Sequence, residues 1–396
     1  MQPYTRKHVA TVRQRLNEPR STIIALTGPR QVGKTTIVRQ ALIGAQSPVV
    51  HRTADGLRGS AASWLGDAWQ EARERAMQGN GTSVLVIDEV QKISDWSELV
   101  KRYWDEDTWN GRDVRVIVSG SSTLLLNDGL RESMAGRFEL IRVMPWSYDE
   151  MRDAFGWDML TYAVYGGYPG PAPLLQDENR WMQFMDDSII EPVVLKDVLQ
   201  HRRIDKPYVL RDLLHTGARM SGREFSYTKL MGEVEDAGNT STLVNHLSML
   251  EEVGLLCGLP KYSRSIMKRR SSPKLQVFAN AIATACGAPW TRSMPVDAMG
   301  RCMESMVGAH LRCAVEGTAY SLSWWRDGND EVDYVVHSHD TTVAIEVSVA
   351  SAHHRRGLEA FQARYPDARV MLVGESGIPF DVFLRMPIHT LASLTR

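Results

Sequence analysis

A glycine-rich segment near the start of the chain has the residue types and spacing of a phosphate-binding loop. GPRQVGKT, residues 28–35, fits the pattern G-x-x-x-x-G-K-[ST] and directly follows the apolar run STIIALT. Glycines let backbone N–H groups close around phosphates, the lysine reaches the terminal phosphates, and the threonine hydroxyl can ligate Mg²⁺. The alternative is a glycine-rich turn without a ligand. The expected nucleotide contacts are Gly28, Pro29, Arg30, Gln31, Val32, Gly33, Lys34, Thr35 and Thr36.

Two carboxylates follow a second apolar run in a way that suits phosphate chemistry. In VLVIDE, Asp88 ends the predicted strand and Glu89 follows it. Acidic groups at the end of a buried strand have a desolvation cost, so we expect a positive partner or a function for them. We expect Asp88 to hold Mg²⁺ with Thr35, and Glu89 to orient or deprotonate the water that attacks a γ-phosphate. Ordinary solvation of a strand end is the alternative.

Two further polar positions are candidates for completing this site. VRVIVSGSS ends in serines, and Ser121 is the candidate for a contact beside the γ-phosphate, with Ser119 and Ser122 as alternatives. Arg137 comes just before the run FELIRVM. A guanidinium supplied from there by a neighbouring subunit would stabilise transition-state charge. A surface ion pair is the other interpretation of Arg137.

These side chains require a sheet that brings several strand ends together. The runs STIIALT, SVLVID, VRVIVSG and FELIRVM are rich in Val and Ile and alternate with helical stretches. Such runs are typical of a parallel sheet that crossover helices bury on both faces. The predicted fold class is α/β, with a P-loop core over residues 1–144 and a helical lid over residues 145–205.

Beyond residue 205 the pattern changes twice. Residues 206–296 are predicted to form three helices and then two strands, an order that resembles a winged helix; the most regular helix lies within GNTSTLVNHLSMLEEVGLL. Residues 297–396 are predicted to form a small α/β domain of one helix, three strands, a second helix and a last strand. With 396 residues the chain is long enough for several domains.

Composition limits the classes of partner. The chain has 43% hydrophobic and 23% charged residues, and 46 basic residues balance 47 acidic ones. No global charge excess therefore points to nucleic acid or membrane, and such a partner would need a local patch. No apolar run approaches the roughly 18 residues of a membrane span, and the charged N-terminus is unlike a signal peptide, so a cytoplasmic protein with no membrane partner is expected.

The order GPRQVGKT, IDEVQKISDW, VSGSSTLLL, MAGRFELIRVMPWSYDE and YGGYPG resembles one family of bacterial and archaeal AAA+ ATPases. Members of that family combine an ATPase module, a winged helix and a C-terminal domain of unknown function related to PD-(D/E)xK nucleases. The resemblance implies ATP and Mg²⁺ as cofactors and a switch or motor activity. A homo-oligomer is expected, with a hexamer as one option.

A local basic stretch makes DNA the favoured partner. Between Val253 and Pro295 the chain has seven Lys and Arg residues and no Asp or Glu, where a winged helix has its wing. We expect contacts to the DNA backbone or shape more than to base edges. A winged helix used for protein contact is the alternative. The candidate DNA contacts are Asn245, Lys261, Arg264, Lys268, Arg269, Arg270 and Lys274.

The C-terminal domain has three carboxylates that match the nuclease resemblance, namely Glu304, Asp333 and Glu346. Such groups could hold a divalent metal that activates water for phosphodiester attack. Active enzymes have an ExK pattern, but here the residues are Glu346, Val347 and Ser348, and no lysine follows Lys274. The sequence thus excludes a lysine that moved within the domain. It favours a degenerate structural or DNA-holding module, with active cleavage as the alternative.

The leading functional hypothesis is an AAA+ ATPase that couples ATP hydrolysis to DNA remodelling or translocation, on branched recombination intermediates such as Holliday junctions. A second hypothesis is a nucleotide-dependent switch in signalling or defence that acts on a protein partner. A third is an ATP-regulated nuclease.

Overall fold

A computed structural model describes residues 4–57, 59–120, 134–198, 204, 206–264, 272–349 and 355–391. The chain divides at Pro145 into two units, Met1–Met144 and Pro145–Arg396. The segment predicted as a helical lid therefore folds with the C-terminal part of the chain.

The first unit is built on a five-stranded parallel sheet with the strand order β2-β3-β4-β1-β5. Its strands are β1 Ile23–Thr27, β2 Val49–Thr53, β3 Thr82–Asp88, β4 Asp113–Ser119 and β5 Phe138–Arg142. The apolar side chains of β1, β3 and β4 are buried almost throughout, as expected for a sheet covered on both faces. The four predicted runs are confirmed as strands. The edge strand β2 has no counterpart among them, because its residues VVHRT are only half apolar and partly exposed.

Helices cover both faces of this sheet: α1 Lys7–Asn17, α2 Lys34–Ala41, α3 Ala61–Gln78 and α4 Trp96–Trp109. α3 packs on β2, β3 and β4, and α4 packs on α3 and β4. The fully buried Asp107 carboxylate joins the two helices, since it accepts hydrogen bonds from Trp69 Nε1 and from Arg73 Nε, both at 2.7 Å. The two helices are thus joined by a buried ion pair as well as by apolar packing.

The second unit begins with helices α5 Tyr148–Phe155, α6 Met159–Tyr165 and α7 Glu178–Met185, with short helical turns at Ala172–Leu174, Asp186–Ile190 and Val193–Val198. α5 starts at a capping box: Ser147 Oγ accepts from Glu150 N–H, and the Glu150 carboxylate accepts from Ser147 N–H. The turn YGGYPG follows α6; a Cβ at Gly167 would lie 2.4 Å from Ala279 Cβ, so only glycine fits there. The predicted mostly helical segment is confirmed.

Three helices and a small antiparallel sheet follow, as α8 Pro207–Arg219, β6 Arg223–Glu224, α9 Tyr227–Glu233, α10 Thr240–Glu252, β7 Leu256–Leu259 and β8 Lys274–Val277. The sheet order is β6-β8-β7, so β8 is the central strand. Asn239 caps α10 by accepting from Thr242 N–H at 3.0 Å. The predicted three helices and two strands are confirmed, and the two-residue strand β6 is an addition. Helix α11, Asn280–Ala285, leads on to the C-terminal domain.

The C-terminal domain consists of α12 Val296–Val315, β9 Ser321–Asp327, β10 Asp330–His337, β11 Thr342–Ser348, α13 Arg355–Arg364 and β12 Arg369–Gly374, followed by the short helices α14 Phe380–Phe383 and α15 Ile388–Leu391. The sheet order is β12-β11-β10-β9; β9, β10 and β11 are antiparallel, and β12 runs parallel to β11. α12 packs on β8, β9, β10 and β11. The predicted order of elements is confirmed.

The chain that leaves β7 runs along the edge of the C-terminal sheet. Tyr262 N–H donates to Trp324 O at 2.6 Å, and Trp324 N–H donates to Pro260 O at 3.2 Å. The Tyr262 ring is buried in the C-terminal core, where it packs on Phe361 and Tyr365. At least this part of the predicted wing is therefore attached to the next domain. Among the described residues, no helix combines the length and the apolar character that crossing a membrane requires.

Candidate nucleotide-binding site

The loop between β1 and α2 has backbone conformations that few side chains tolerate. Gly28 has a φ of +147°, and a Cβ there would lie 2.0 Å from the carbonyl oxygen of Val143. Gly33 has a φ of +93° and caps α2 without a side-chain hydrogen bond. The first N–H groups of a helix have no intrahelical acceptors and attract anions. The loop therefore has the shape and the polarity of a phosphate site.

Lys34 lies inside this loop. Its side chain is buried, and Nζ donates to Gly28 O and to Pro29 O, both at 2.7 Å. The ammonium is thus held by the carbonyl groups of the loop itself. This position agrees with the role that the motif predicts for the lysine, which is contact with the terminal phosphates.

The Asp88 carboxylate connects the ends of neighbouring strands. Thr35 Oγ1 donates to Asp88 Oδ2 at 2.8 Å, and Ser119 Oγ donates to Asp88 Oδ1 at 2.5 Å. β4 lies between β1 and β3 in the sheet, so the carboxyl ends of the three strands meet here. A threonine hydroxyl and a carboxylate are ligand types that Mg²⁺ accepts. Thr35 and Asp88 therefore fit the ion that the motif implies, and they would be its protein ligands.

The structure brings Ser119 to the site, whereas the candidate Ser121 lies outside the described residues. Ser119 is the last residue of β4 and is buried. Its position at a strand end is the signal that favours it. The sequence could have favoured Ser119 for this reason. A residue within a strand has its position set by the pairing with neighbouring strands, whereas a residue after the strand does not.

Glu89 follows Asp88 in a strained backbone conformation. Its φ and ψ are 54° and 39°, in the left-handed region that non-glycine residues rarely adopt. Such strain costs on the order of 1–3 kcal/mol and is found at functional sites. Gln91 Nε2 donates to Glu89 Oε2 at 2.6 Å and orients the carboxylate. Glu89 is thus placed beside Asp88, as its predicted role requires.

Arg6 supports the loop from outside the motif, and sequence reasoning missed it. Its guanidinium is buried; Nη1 donates to Val32 O at 3.0 Å and Nη2 donates to Met144 O at 3.1 Å. Gln40 Nε2 in α2 also donates to Tyr4 O at 3.1 Å. The residues before α1 therefore fix both the loop and α2. A single arginine ahead of a helix carries no local signal of such a role.

Arg137 is not brought to the loop of its own chain. It precedes β5, whose first residue Phe138 pairs with Ile23, so it lies at the amino end of the strands. The phosphate loop follows the opposite, carboxyl end of β1. Arg137 Nε and Nη2 donate to the two Asp105 carboxylate oxygens at 2.7 and 3.0 Å. This pairing with Asp105 raises the pKa of Arg137.

Three of the candidate DNA contacts are described at the protein surface. Asn245 is exposed on α10. The Lys261 ammonium lies 6.0 Å from the centre of the Trp324 ring, and the Arg264 guanidinium lies 5.4 Å from the Tyr365 ring. Both cations therefore lie against aromatic side chains of the C-terminal domain.

Lys274 is wrong as a candidate phosphate contact. Its side chain is fully buried, because β8 is the central strand of its sheet and faces α12. His246 in α10 is also buried, and burial lowers its pKa. Three further candidates lie outside the described residues, namely Lys268, Arg269 and Arg270.

The carboxylates of the C-terminal domain are brought together, and Lys274 lies among them. Lys274 Nζ is 2.6 Å from Glu304 Oε1 and 3.3 Å from Asp333 Oδ1. Burial and then the Asp333 carboxylate raise the pKa of Glu346 to about 10. Burial alone lowers the pKa of Lys274, but the charges of Glu304 and Asp333 outweigh this effect and raise it well above the ordinary value. The sequence excluded a lysine from within the C-terminal domain, and the lysine in this cluster comes from the preceding domain.

Three family models match successive parts of the chain. Residues 20–152 match a family described as an AAA domain. Residues 156–290 match a domain of unknown function, DUF8612, and residues 299–390 match another, DUF4143. The chain therefore contains an AAA-type P-loop ATPase domain followed by two domains of unknown function.

The chain is also similar to two proteins that carry the description uncharacterized protein. One from Methanocaldococcus jannaschii is 21% identical over 328 residues, which are 77% of this chain and 70% of that protein. One from Mycobacterium tuberculosis is 27% identical over 271 residues, 68% of this chain and 56% of that protein, so the match spans little more than half of the mycobacterial protein.

Two solved structures are also similar. A Walker-type ATPase of Pyrococcus abyssi has a TM-score of 0.48 and 14% identity, over 72% of this chain and 98% of that one. The RuvB Holliday junction branch migration motor of Thermotoga maritima has a TM-score of 0.34 and 18% identity, over 64% and 86% of the two chains.

Gly28→Ala should destabilise the loop more than Gly33→Ala does. Both glycines have positive φ, but a Cβ meets the Val143 carbonyl only at Gly28 and open space at Gly33. The extra overlap should cost about 1–3 kcal/mol. Amide hydrogen exchange by mass spectrometry, on peptides covering β1 to α2, measures the difference. If exchange were accelerated equally in the two variants, the close approach of Gly28 to the Val143 carbonyl would not be what restricts this position.

Proposed function

We propose that the chain is an ATP hydrolase that binds ATP with Mg²⁺ at the loop of residues 28–36. The observation that carries the proposal is the Asp88 carboxylate, which accepts hydrogen bonds from both Thr35 and Ser119. Thr35 and Asp88 would hold Mg²⁺, which neutralises phosphate charge when bound. Lys34 and the loop N–H groups would bind the phosphates.

In this proposal Glu89 activates the attacking water. Its carboxylate follows the metal ligand Asp88 directly and is oriented by Gln91. A general base of this kind contributes roughly 10²–10⁴-fold to a rate. Ser119, bonded to the same carboxylate as Thr35, would respond to the charge at the γ-phosphate.

Two substitutions separate binding from turnover. Lys34→Met should abolish nucleotide binding, because the ammonium that meets the terminal phosphates is lost. Glu89→Gln should keep ATP affinity within a few-fold of wild type and reduce turnover by roughly 10²-fold or more. Calorimetry with a non-hydrolysable ATP analogue and a phosphate-release assay measure the two effects. Full turnover by Glu89→Gln would refute the role of Glu89, and no uptake of MgATP or MgADP by wild type would refute the nucleotide site.

We also propose a homo-oligomer in which Arg137 acts on the nucleotide of a neighbouring copy. Support comes from its position at the amino end of the strands, away from the loop of its own chain. Both partners of the Arg137–Asp105 ion pair are exposed, with 33% and 45% of their side chains accessible. Breaking this ion pair so that Arg137 can bind a phosphate therefore costs little free energy. A hexamer is one arrangement compatible with this contact.

Arg137→Ala should lower turnover without lowering stability by more than about 1 kcal/mol. The matched control is Asp105→Asn, which breaks the same ion pair and leaves the guanidinium, and should keep turnover. Mixing Arg137→Ala with Lys34→Met protein should restore part of the activity, since each copy supplies what the other lacks. Absence of rescue in assemblies shown by light scattering to contain both copies would argue against action between subunits.

We propose DNA as the partner, held by backbone contacts, and coupling of hydrolysis to DNA remodelling or translocation; Holliday junctions are one candidate substrate. Residues 206–296, with α8 to α10 and the β6-β8-β7 sheet, would act as a winged helix. The exposed Asn245 on α10 and the cations Lys261 and Arg264 after β7 support this proposal.

Lys261→Gln and Arg264→Gln should each weaken DNA binding across sequences and reduce the slope of log affinity against log salt by about 1. Arg180→Gln is the matched control, because it removes an exposed positive charge in α7, outside the basic stretch. Fluorescence anisotropy and ATPase rates, with single-stranded, duplex, forked and four-way DNA, give the measurement. Equal losses in all three variants would show non-specific charge attraction.

A nucleotide-dependent switch that binds a protein partner is the second candidate. One observation favours it: Tyr262 ties the start of the predicted wing to β9, which leaves less of that segment projecting into solvent. In the DNA experiment above, clean protein that neither binds DNA nor changes its ATPase rate would favour this switch.

A further inference from the structure

The C-terminal domain does not fit the metal that its resemblance to PD-(D/E)xK nucleases implies. That resemblance assigns a divalent ion to Glu304, Asp333 and Glu346. Among the described residues, no three His, Cys, Asp or Glu side chains are arranged to hold a metal ion. The positive group in this cluster is instead Lys274, which comes from β8 in the preceding domain.

The donors of the Lys274 ammonium are fully used. An ammonium has three N–H donors. Nζ lies 2.6 Å from Glu304 Oε1, 3.3 Å from Asp333 Oδ1 and 3.2 Å from the Asp333 carbonyl oxygen. In this arrangement no donor remains for a substrate phosphate or a water.

The position of Lys274 is fixed by the backbone. Its residue pairs with Glu224 of β6 on one side and with Leu259 of β7 on the other. Pairing on both sides holds the backbone of Lys274, and the packing around its fully buried side chain restricts the rotamers that the ammonium can adopt. The ammonium is therefore a built-in part of the folded cluster.

Other groups around the cluster are also paired within the chain. The Asp333 carboxylate accepts from Val347 N–H at 2.9 Å, which occupies its second oxygen. At the rim of the adjoining pocket, of about 410 Å³, Arg326 forms ion pairs with Glu224 and Glu331. Lys274 and Arg326 are thus positive side chains that the protein itself places beside these carboxylates.

We propose that Lys274 is a built-in counter-cation that takes the place of a divalent metal in the Glu304–Asp333–Glu346 cluster. The ammonium already contacts Glu304 Oε1 and Asp333 Oδ1, so a divalent ion would have to displace it from these two carboxylate oxygens. The cluster links the β6-β8-β7 sheet to the C-terminal sheet, and in this state it binds no divalent ion. This inference does not depend on the proposed ATPase activity.

Titration of the intact chain with Mn²⁺, followed by the electron paramagnetic resonance of the free ion, tests the proposal. All proteins carry Asp88→Asn, which removes the candidate metal ligand of the first unit. In this parent, Glu346→Gln should leave the binding curve unchanged up to ~1 mM free Mn²⁺. If the parent protein bound a Mn²⁺ ion that the Glu346→Gln variant did not bind, the proposal would be overturned. This comparison leaves Lys274 unchanged.

Lys274→Met should create a site for one additional Mn²⁺, and adding Glu346→Gln should remove it. Lys261→Met is the matched control, since it removes a lysine outside the cluster and should create no site. Thermal denaturation shows whether each variant is folded. A folded Lys274→Met protein without an additional ion would overturn the proposal; if that variant does not fold, the parent comparison decides alone. A further outcome is that the parent protein cleaves DNA in a metal-dependent reaction that Lys274→Met abolishes. That result would assign a catalytic role to Lys274 and would also overturn the proposal.

Discussion

The Asp88 carboxylate is the group on which the candidate nucleotide site of the first unit depends, because it joins groups from three neighbouring elements. It is buried at the end of β3, and it meets a hydroxyl from the start of α2 and one from the end of β4. These three groups can meet only if β4 lies between β1 and β3 and all the strands run in the same direction. The apolar faces of the strands enforce that order, so the burial of Val and Ile side chains fixes the polar geometry.

Much of this unit could be predicted because its information is local. The loop of residues 28–36 is a continuous motif, and Asp88 and Glu89 stand directly after an apolar run. The serines at positions 119, 121 and 122 show where local information ends, because only the folded sheet shows that Ser119 is the last residue of β4 and meets Asp88. Arg6 shows the same limit over a greater distance, since its acceptors Val32 and Met144 are defined only by the folded chain.

The C-terminal cluster could be predicted in part. The resemblance to PD-(D/E)xK nucleases implied that Glu304, Asp333 and Glu346 would lie together, and the three side chains line one pocket. The position of Lys274 could not be derived, because a lysine in a basic stretch is normally exposed. Its burial follows from the pairing of β8 with β6 and β7 and from the packing of α12 on that sheet. A search for a lysine restricted to the C-terminal domain misses one supplied by its neighbour.

The buried guanidinium of Arg6 has a consequence for communication along the chain. It holds Val32 in the phosphate loop and Met144, the last residue before the second unit begins. The same side chain therefore fixes the distance between the phosphate loop and Met144, where the first unit ends. If the loop backbone moves at Val32, either the Arg6 side chain or the peptide that leads into Pro145 must move with it. The backbone at Met144 is therefore coupled to the conformation of the phosphate loop.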